Sequence, residues 1–239
     1  MDKFTDAMTS LGLTINEHQA EQFEIFYREL IDWNRCVNLT AITDYEDVQV
    51  KHFLDSLTVI LALKQIPGPP VYKVIDIGTG AGFPGIPLKI MIPEIHLTLL
   101  EATGKKTRFL ESITHALQLT GVEILKGRAE DFGRSPEYRE CFNIVLSRAV
   151  AALPSLVELA LPFCTIGGCF IAQKQTDVGT EIEQAHNAVR LLGGRLREVI
   201  DISFPKFSGG RCLVVYDKIS PTPPAYPRRP GIPGKKPLQ

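Results

Sequence analysis

Apolar residues recur three or four positions apart between residues 18 and 37, which predicts an amphipathic helix with one apolar stripe. The stripe consists of Phe23, Phe26, Leu30, Trp33 and Val37. Thr43 and Glu46 have the spacing of a capping box and predict the start of a second helix. The segment "PGPP" at 67–70 ends this pattern. We therefore expect residues 1–66 to form a helical extension whose stripe packs on the core, with partner binding as the alternative.

From residue 71 onward, apolar runs of strand length alternate with helical patterns. The predicted strands are YKVIDI, IHLTLLE, GVEILKG, FNIVLS, GGCFIAQK, REVIDISF and RCLVVYD, with helices ending at Met91 and spanning 104–119, 153–163 and 178–192. This alternation is typical of an α/β domain with a doubly wound, mostly parallel sheet covered on both faces. Only the last two strands follow each other without a helix, so we expect one antiparallel strand at that edge. The domain is predicted to span residues 71–218.

Composition is that of a globular protein, and the charge is unevenly distributed. The chain has 239 residues, of which 44% are hydrophobic and 22% charged, and its net charge is -1. The final residues 219–239 are rich in proline and carry four cations, namely Arg228, Arg229, Lys235 and Lys236. We expect this segment to be an extended basic tail that reaches the phosphates of an RNA, with a merely solvated end as the alternative.

The cysteines and the N-terminus indicate a cytoplasmic protein without a metal site. The five cysteines form no CxxC pair, and their number is odd, so we interpret them as reduced thiols. The N-terminus lacks the basic and then apolar order of a signal peptide. No apolar run approaches the ~18 residues that would cross a bilayer. We therefore expect no membrane association.

The stretch "VIDIGTGAGFPGIPL" at residues 74–88 joins the first predicted strand to a helix through closely spaced glycines. In doubly wound sheets this turn forms the floor of the ligand site, so we expect a ligand against Gly78 and Gly80. The glycines also match the GxGxxG pattern of dinucleotide-binding proteins, and that interpretation remains open. Asp76 argues against a pyrophosphate and favours a cationic ligand such as S-adenosylmethionine.

The ends of the later strands supply the other expected cofactor contacts. Glu101 ends the second strand, where its carboxylate can accept hydrogen bonds from ribose hydroxyls. Ala129 and Glu130 follow the third strand and can bind the adenine edge through a backbone amide and a carboxylate. Arg148 follows the fourth strand at the rim of the cleft. The alternatives are an ordinary helix N-terminus at 129–130 and a surface arginine at 148.

Several motifs together resemble one family of enzymes. They are "VIDIGTGAGFPGIPLKI", "GRAED", "SRAVAAL", "NLTAI" with "KHFLDSL", and "YPRRPGIPGKKPL". In this order they are similar to the bacterial small-subunit ribosomal RNA guanine-N7 methyltransferases, also called glucose-inhibited division protein B. The resemblance covers about residues 20 to 238. Ala102 and Gln175 depart from the residues common in that family, at the wall of the substrate pocket.

The resemblance implies a class I methyltransferase fold and methylation of N7 of a guanosine in the 530-loop region of 16S rRNA. The family's contacts with S-adenosylmethionine fall on Gly78, Phe83, Ala129 with Glu130, and Arg148. The partner would be 16S rRNA or the 30S subunit, and we expect the enzyme to be a monomer. The alternatives are a catalytically silent RNA-binding module on the same fold and, from the glycine pattern, a nicotinamide-dependent oxidoreductase.

Methylation of guanine N7 needs few catalytic groups, because this nitrogen carries a lone pair and no proton. We assign no catalytic side chain from the sequence. Lys105 and Lys106 open the helix after Glu101 and can bind RNA phosphates, with a solvated helix face as the alternative. His52 and Asp55, three positions apart, either share one face over the cleft or have a plain capping or surface role.

Overall fold

The structure shows how the predicted elements assemble. The computed structural model describes residues 4, 8–9, 11–63, 72–202 and 210–238. The "PGPP" segment and the last residues of the predicted strand REVIDISF lie outside these ranges. The domain boundary predicted at 67–70 therefore stays a prediction.

The N-terminal region is helical, as predicted. Its elements are α1 (Glu17–Val37), α2 (Tyr45–Val48), a π-helical segment (Gln49–Leu54), α3 (Asp55–Leu57) and α4 (Ile60–Leu63). α1 begins with a capping box in which the side chains of Asn16 and Gln19 each accept a hydrogen bond from the other's backbone amide. The capping box predicted at Thr43 is wrong. Asp44 caps the second helix instead, because its carboxylate accepts from the Asp47 amide at 3.0 Å.

Seven strands form one sheet, in the order β3-β2-β1-β4-β5-β7-β6. Their bounds are β1 (Lys73–Ile77), β2 (His96–Glu101), β3 (Val122–Lys126), β4 (Phe142–Arg148), β5 (Cys164–Gln175), β6 (Gly194–Ile202) and β7 (Arg211–Lys218). The first five run parallel, and β7 runs antiparallel between β5 and β6. The predicted fold class, including an antiparallel strand at this edge, is confirmed. The strand order reverses between β1 and β4, the position at which doubly wound sheets bind ligands.

Helices cover both faces of the sheet, because neighbouring residues of a buried strand point to opposite sides. The helices that follow the first strand are α5 (Gly85–Met91), α6 (Gly104–Ala116), α7 (Ala129–Phe132), α8 (Leu153–Ala160), α9 (Gly179–Leu191) and α10 (Ile232–Lys235). Val74 of β1 packs in one core with the N-terminal helices, α5 and α6. Ile75 packs on the other side, in a core with α8 and α9. Within the described part of the chain, no helix combines the length and apolar character needed to cross a membrane.

The tail is not extended, in contrast to the prediction. Arg139 donates hydrogen bonds to the carbonyl groups of Thr222 at 2.7 Å and Tyr226 at 2.7 Å. Arg134 donates to the carbonyl of Pro227 at 2.6 Å. Tail carbonyl groups therefore find donors on the body of the protein. A proline-rich segment has few amide donors of its own, and the sequence pattern did not reveal these distant arginines.

Lys218, the last residue of β7, anchors the start of the tail. Its side chain is buried, and Nζ donates to the carbonyl groups of Leu161 at 3.1 Å and Leu192 at 3.0 Å and to the hydroxyl of Thr222. Glu140 neutralises its charge at an N···O distance of 3.1 Å. The ammonium group thus has an acceptor for each of its donors.

We predict that Lys218→Met lowers the free energy of unfolding by about 3 kcal/mol, because it removes the cation that pairs with Glu140 and one hydrogen bond from each of the carbonyl groups of Leu161 and Leu192. Urea denaturation measures this change. The control is Lys105→Met, an exposed lysine for which a change below about 0.5 kcal/mol is expected. Equal stabilities of the two variants would contradict the anchoring role of Lys218.

Candidate functional site

The glycine turn after β1 lies at the point where the strand order reverses. Gly78 donates from its backbone amide to the carbonyl of Leu100 at 2.8 Å, so the turn continues the pairing of β1 with β2. Gly78 and Gly80 have φ angles of +66° and +61°, which L residues rarely adopt. A Cβ atom at Gly78 would lie 2.7 Å from a methyl group of Val150, whereas at Gly80 its nearest neighbour would be the Gly78 carbonyl oxygen, 4.0 Å away. The turn therefore requires glycine, and the space beside Gly80 is available to a ligand.

Asp76 holds the turn from below. Its side chain is fully buried, and Oδ2 accepts hydrogen bonds from the Thr79 hydroxyl at 2.6 Å and the Gly85 amide at 2.9 Å. Among the described residues Oδ1 has no hydrogen-bond partner. Burial raises the pKa of the Asp76 carboxyl to about 6, although both hydrogen bonds oppose this shift. The sequence predicts this carboxylate against a ligand, whereas in the structure it lies beneath the turn and can act on a ligand only through its charge.

Glu101 lies beside the turn, as its position at the end of β2 predicts. Its carboxylate accepts from the Gly80 amide at 3.1 Å and from the Thr103 amide at 2.7 Å, one bond to each oxygen. A carboxylate oxygen can accept a second hydrogen bond, so both oxygens keep the capacity to bind a hydroxyl. The structure thus brings Gly78, Gly80 and Glu101 together.

A small cavity of about 110 Å³ adjoins the turn. It is lined by Ile77, Gly78, Leu100, Ala102, Gly127, Arg128, Ala129, Glu130, Val150 and Leu159. Ala129 and Glu130 begin α7, and the amides of a first helical turn have no partner within the helix. Oε1 of the Glu130 carboxylate accepts from the Gly231 amide at 2.8 Å and from Arg128 at 3.3 Å. The predicted adenine-side residues therefore border this cavity, with an apolar wall opposite them.

Arg148, at the end of β4, is held by the N-terminal region. Its guanidinium donates to the Asp55 carboxylate at 2.9 Å and to the Lys51 carbonyl at 3.2 Å, and it lies 3.2 Å from Nδ1 of His52. It also stands 4.9 Å above the ring of Phe83. The sequence predicts Arg148 at the rim of the cleft. For His52 and Asp55 it allows either a shared face over the cleft or a plain capping or surface role. The structure shows both residues as partners of Arg148.

Phe83 and His52 connect the glycine turn to the N-terminal helices. The Phe83 ring is stacked on His52 with a centroid distance of 4.7 Å and on Phe26 of α1 at 5.1 Å. Thr40 lies 2.7 Å from Nε2 of His52, so both ring nitrogens of the histidine have partners. Burial lowers the pKa of the His52 imidazole to about 3, and the positive charge of Arg148 acts in the same direction. Neutral His52 can therefore accept a hydrogen bond from Arg148.

A second, wider cleft of about 540 Å³ lies beyond Arg148, over the ends of β4 and β5. Its lining residues are Lys51, Asp55, Arg148, Ala149, Gln173, Lys174, Gln175, Thr176, Asp177, Val178, Glu181 and Arg211. Positive and negative side chains alternate around it, and Lys174 pairs with Glu181 at 2.8 Å. Gln173 donates to the Asp55 carbonyl at 2.6 Å and so joins β5 to the N-terminal region. No local pattern in the sequence points to Gln173, because its partner is more than a hundred residues away in the chain.

The predicted RNA-binding cations fall into two groups. Lys105 and Lys106 begin α6, which follows Glu101 at the same edge of the sheet. In the tail, Arg229, Lys235 and Lys236 are exposed. Arg228 differs from its neighbours, because it forms an ion pair with Glu158 at 2.6 Å and points toward the body of the protein. This position is at odds with the expectation that Arg228 reaches RNA outside the folded body.

Known proteins similar to this chain agree on one family. The family model described as GidB, rRNA small subunit methyltransferase G, matches residues 19–206. A Dehalococcoides mccartyi protein named ribosomal RNA small subunit methyltransferase G is 52% identical over 238 residues, which covers 100% of both chains. A protein of the same name from Roseiflexus castenholzii is 46% identical and also covers 100% of both chains.

Solved structures of low sequence identity share the fold. TrmN from Thermus thermophilus aligns with a TM-score of 0.53 and 15% identity, over 70% of this chain and 49% of that one. TYW2 from M. jannaschii, in complex with AdoMet, aligns with a TM-score of 0.52 and 15% identity, over 69% of this chain and 77% of that one. At this identity the likeness concerns the arrangement of the sheet and its helices.

We predict that His52 stays neutral down to about pH 4, because burial and the charge of Arg148 disfavour its protonation. An unfolded histidine titrates near pH 6.5, so between pH 6.5 and 3 the unfolded chain binds a proton that the folded chain does not. His52 should therefore reduce stability as the pH falls through this window, by up to about 1.4 kcal/mol per pH unit. NMR of the imidazole carbon-bound protons tests its charge directly, with a short histidine peptide as the reference. A titration midpoint above pH 5 would contradict the buried, neutral state.

Proposed function

The chain belongs to the rRNA small subunit methyltransferase G family, and we propose that it transfers a methyl group from S-adenosylmethionine to N7 of a guanosine in the 530-loop region of 16S rRNA. One observation supports this most. The small cavity at the glycine turn and the wide cleft at Arg148 both lie at the carboxyl edge of the sheet, where Val150 lines the first and the preceding residue, Ala149, lines the second. This arrangement offers one site for a cofactor and a neighbouring site for the base that receives the methyl group.

The small cavity suits the adenosine part of S-adenosylmethionine. The adenine would lie against Ala129, and the ribose hydroxyls would donate to Glu101, which has unused acceptor capacity. The methionine part would then extend past Gly78 and Gly80 toward Arg148. The negative charge of buried Asp76 lies beneath this path and favours the positively charged sulfonium.

The wide cleft would hold the guanosine. Arg148 lines this cleft, and it keeps unused N–H donors after its contacts with Asp55, Lys51 and His52. We assign these donors to placing cofactor and base, because an arginine does not titrate in the working pH range. Gln175, which departs from the family's common residue, lies in the wall of this cleft.

The reaction requires placement and no proton transfer before the bond forms. Bound S-adenosylmethionine would supply an electrophilic methyl group: a bond would form between N7 and the methyl carbon as the carbon–sulfur bond breaks, and the electrons of that bond would remain on sulfur as a neutral thioether. The positive charge moves to the guanine ring, and no proton has to be removed. His52 is the nearest imidazole to Arg148, but both of its ring nitrogens are occupied and its pKa is low. The site thus acts by alignment, and no general base is assigned.

Basic side chains would bind phosphate groups of the RNA. Lys105 and Lys106 lie at the cofactor end of the edge, and Arg229, Lys235 and Lys236 lie on the tail. Such contacts position the RNA backbone without reading its sequence. We further propose that the enzyme works as a cytoplasmic monomer, with naked 16S rRNA or the 30S subunit as its partner.

We predict that the purified protein methylates 16S rRNA lacking this modification, at one guanosine of the 530-loop region. Tritiated S-adenosylmethionine measures the transfer, and borohydride followed by aniline cleaves the RNA at N7-methylguanosine and locates it. Naked 16S rRNA and 30S subunits are compared as substrates. Binding of RNA without any transfer would favour the silent module. Binding of NADH and not of S-adenosylmethionine would favour the oxidoreductase.

We predict that Glu101→Ala weakens binding of S-adenosylmethionine, because two ribose hydroxyls lose their acceptor. The expected loss is roughly 1 to 3 kcal/mol, measured by isothermal titration calorimetry. Glu111→Ala, an exposed glutamate on α6, is the matched control and should leave the affinity unchanged. If a folded Glu101→Ala variant binds the cofactor with unchanged affinity, the ribose does not lie at Glu101.

A further inference from the structure

The C-terminal tail is fastened to α8 by a buried ion pair. Glu158 of α8 is fully buried, and both of its carboxylate oxygens accept hydrogen bonds from the guanidinium of Arg228, at 2.9 and 2.6 Å. The backbone amide of Arg228 donates to the same carboxylate at 2.8 Å. A bidentate pair of this kind fixes orientation as well as distance, so it determines where the next residues of the tail lie.

Three residues later, the tail contacts the start of α7. The amide of Gly231 donates to Oε1 of Glu130 at 2.8 Å. Burial raises the pKa of the Glu130 carboxyl, but hydrogen bonds from Gly231, from its own amide and from Arg128 outweigh burial, so the pKa lies below its ordinary value. The Glu130 carboxylate is therefore held as an anion by a segment that is distant in sequence.

A third contact joins the tail to α8 again. The Ser155 hydroxyl donates to the carbonyl of Pro233 at 3.0 Å, and Pro233 is buried. Leu159 of α8 also lines the small cavity, together with Ala129 and Glu130 of α7. Residues 228–233 thus contact both helices that form this cavity.

We propose that residues 228–233 are a brace that sets the spacing of α7 and α8 and so shapes the adenosine site. Arg228 is a positioning residue in this view, acting on the cofactor through Gly231 and Glu130. This inference rests on the proposed placement of adenosine against Ala129. α7 has only four residues, so few contacts of its own hold its first turn in place. The contacts that residues 228–233 make with α7 and α8 hold this turn in place instead.

Arg228 and Arg229 are neighbours in the chain, but only Arg228 takes part in the brace. Arg228 faces Glu158, whereas Arg229 is exposed and carries its charge toward solvent. The pair therefore provides a matched comparison within one segment. Loss of Arg228 should affect the cofactor, and loss of Arg229 should affect only RNA.

The experiment compares Arg228→Ala with Arg229→Ala in the full chain. Calorimetry with S-adenosylmethionine gives the affinity, and single-turnover methyl transfer at saturating cofactor gives the rate. For Arg228→Ala we expect the dissociation constant to rise about tenfold while the saturated rate changes less than about threefold. Hydrogen exchange should increase at the amides of residues 129–131. For Arg229→Ala we expect an unchanged cofactor affinity and weaker binding of rRNA.

Unchanged cofactor affinity in a folded Arg228→Ala variant would overturn the brace. If that variant does not fold, Arg228→Lys tests the brace instead, because lysine keeps the positive charge but cannot form the bidentate pair with Glu158. A threefold or greater rise in its dissociation constant supports the brace, and an unchanged value overturns it. Ala129→Leu tests the underlying placement separately, since leucine would fill the cavity. If Ala129→Leu binds the cofactor normally, the placement of adenosine fails, whatever Arg228 shows.

Discussion

The buried carboxylate of Asp76 determines the shape of the cofactor turn, and the rest of the site is built around that turn. By accepting from Thr79 and Gly85, it ties the end of β1 to the first residue of α5 across a run of glycines. A Cβ atom at Gly85 would lie 3.0 Å from this carboxylate, so the contact leaves no room for a side chain. The turn so formed presents the Gly80 amide to Glu101 and places Phe83 beneath His52.

Two segments outside the sheet complete the site from opposite sides. The N-terminal helices supply Asp55, His52 and the Lys51 carbonyl, which hold Arg148 in the lining of the wide cleft. The C-terminal tail supplies Gly231, which holds Glu130 at the far side of the small cavity. Helices and loops at the carboxyl edge of a parallel sheet are not part of its hydrogen-bonded ladder. Contacts with segments that are distant in the chain therefore fix their positions.

Part of the candidate site could be predicted from the sequence because it follows from strand ends. Glu101 and Arg148 each end a strand, and parallel strands end at the same edge, so their meeting near the glycine turn needs no long-range information. The tail could not be predicted in this way. Its prolines and charges are equally compatible with an extended chain. Contacts with distant groups on the body, such as Arg134, Arg139 and the carboxylate of Glu158, hold it against the body instead.

The sequence by itself determined the alternation of strands and helices, the fold class and the family, since these depend on periodicity and on motifs that are local in the chain. Tertiary structure alone decided which charged groups are paired. Arg228 and Arg229 are neighbours of identical chemistry, yet one meets a buried carboxylate and the other remains in water. The physical reason is that an ion pair requires its charged atoms to lie within a few ångströms of each other. Arg228 and Glu158 are 70 residues apart in the chain, so only the folded structure brings them together.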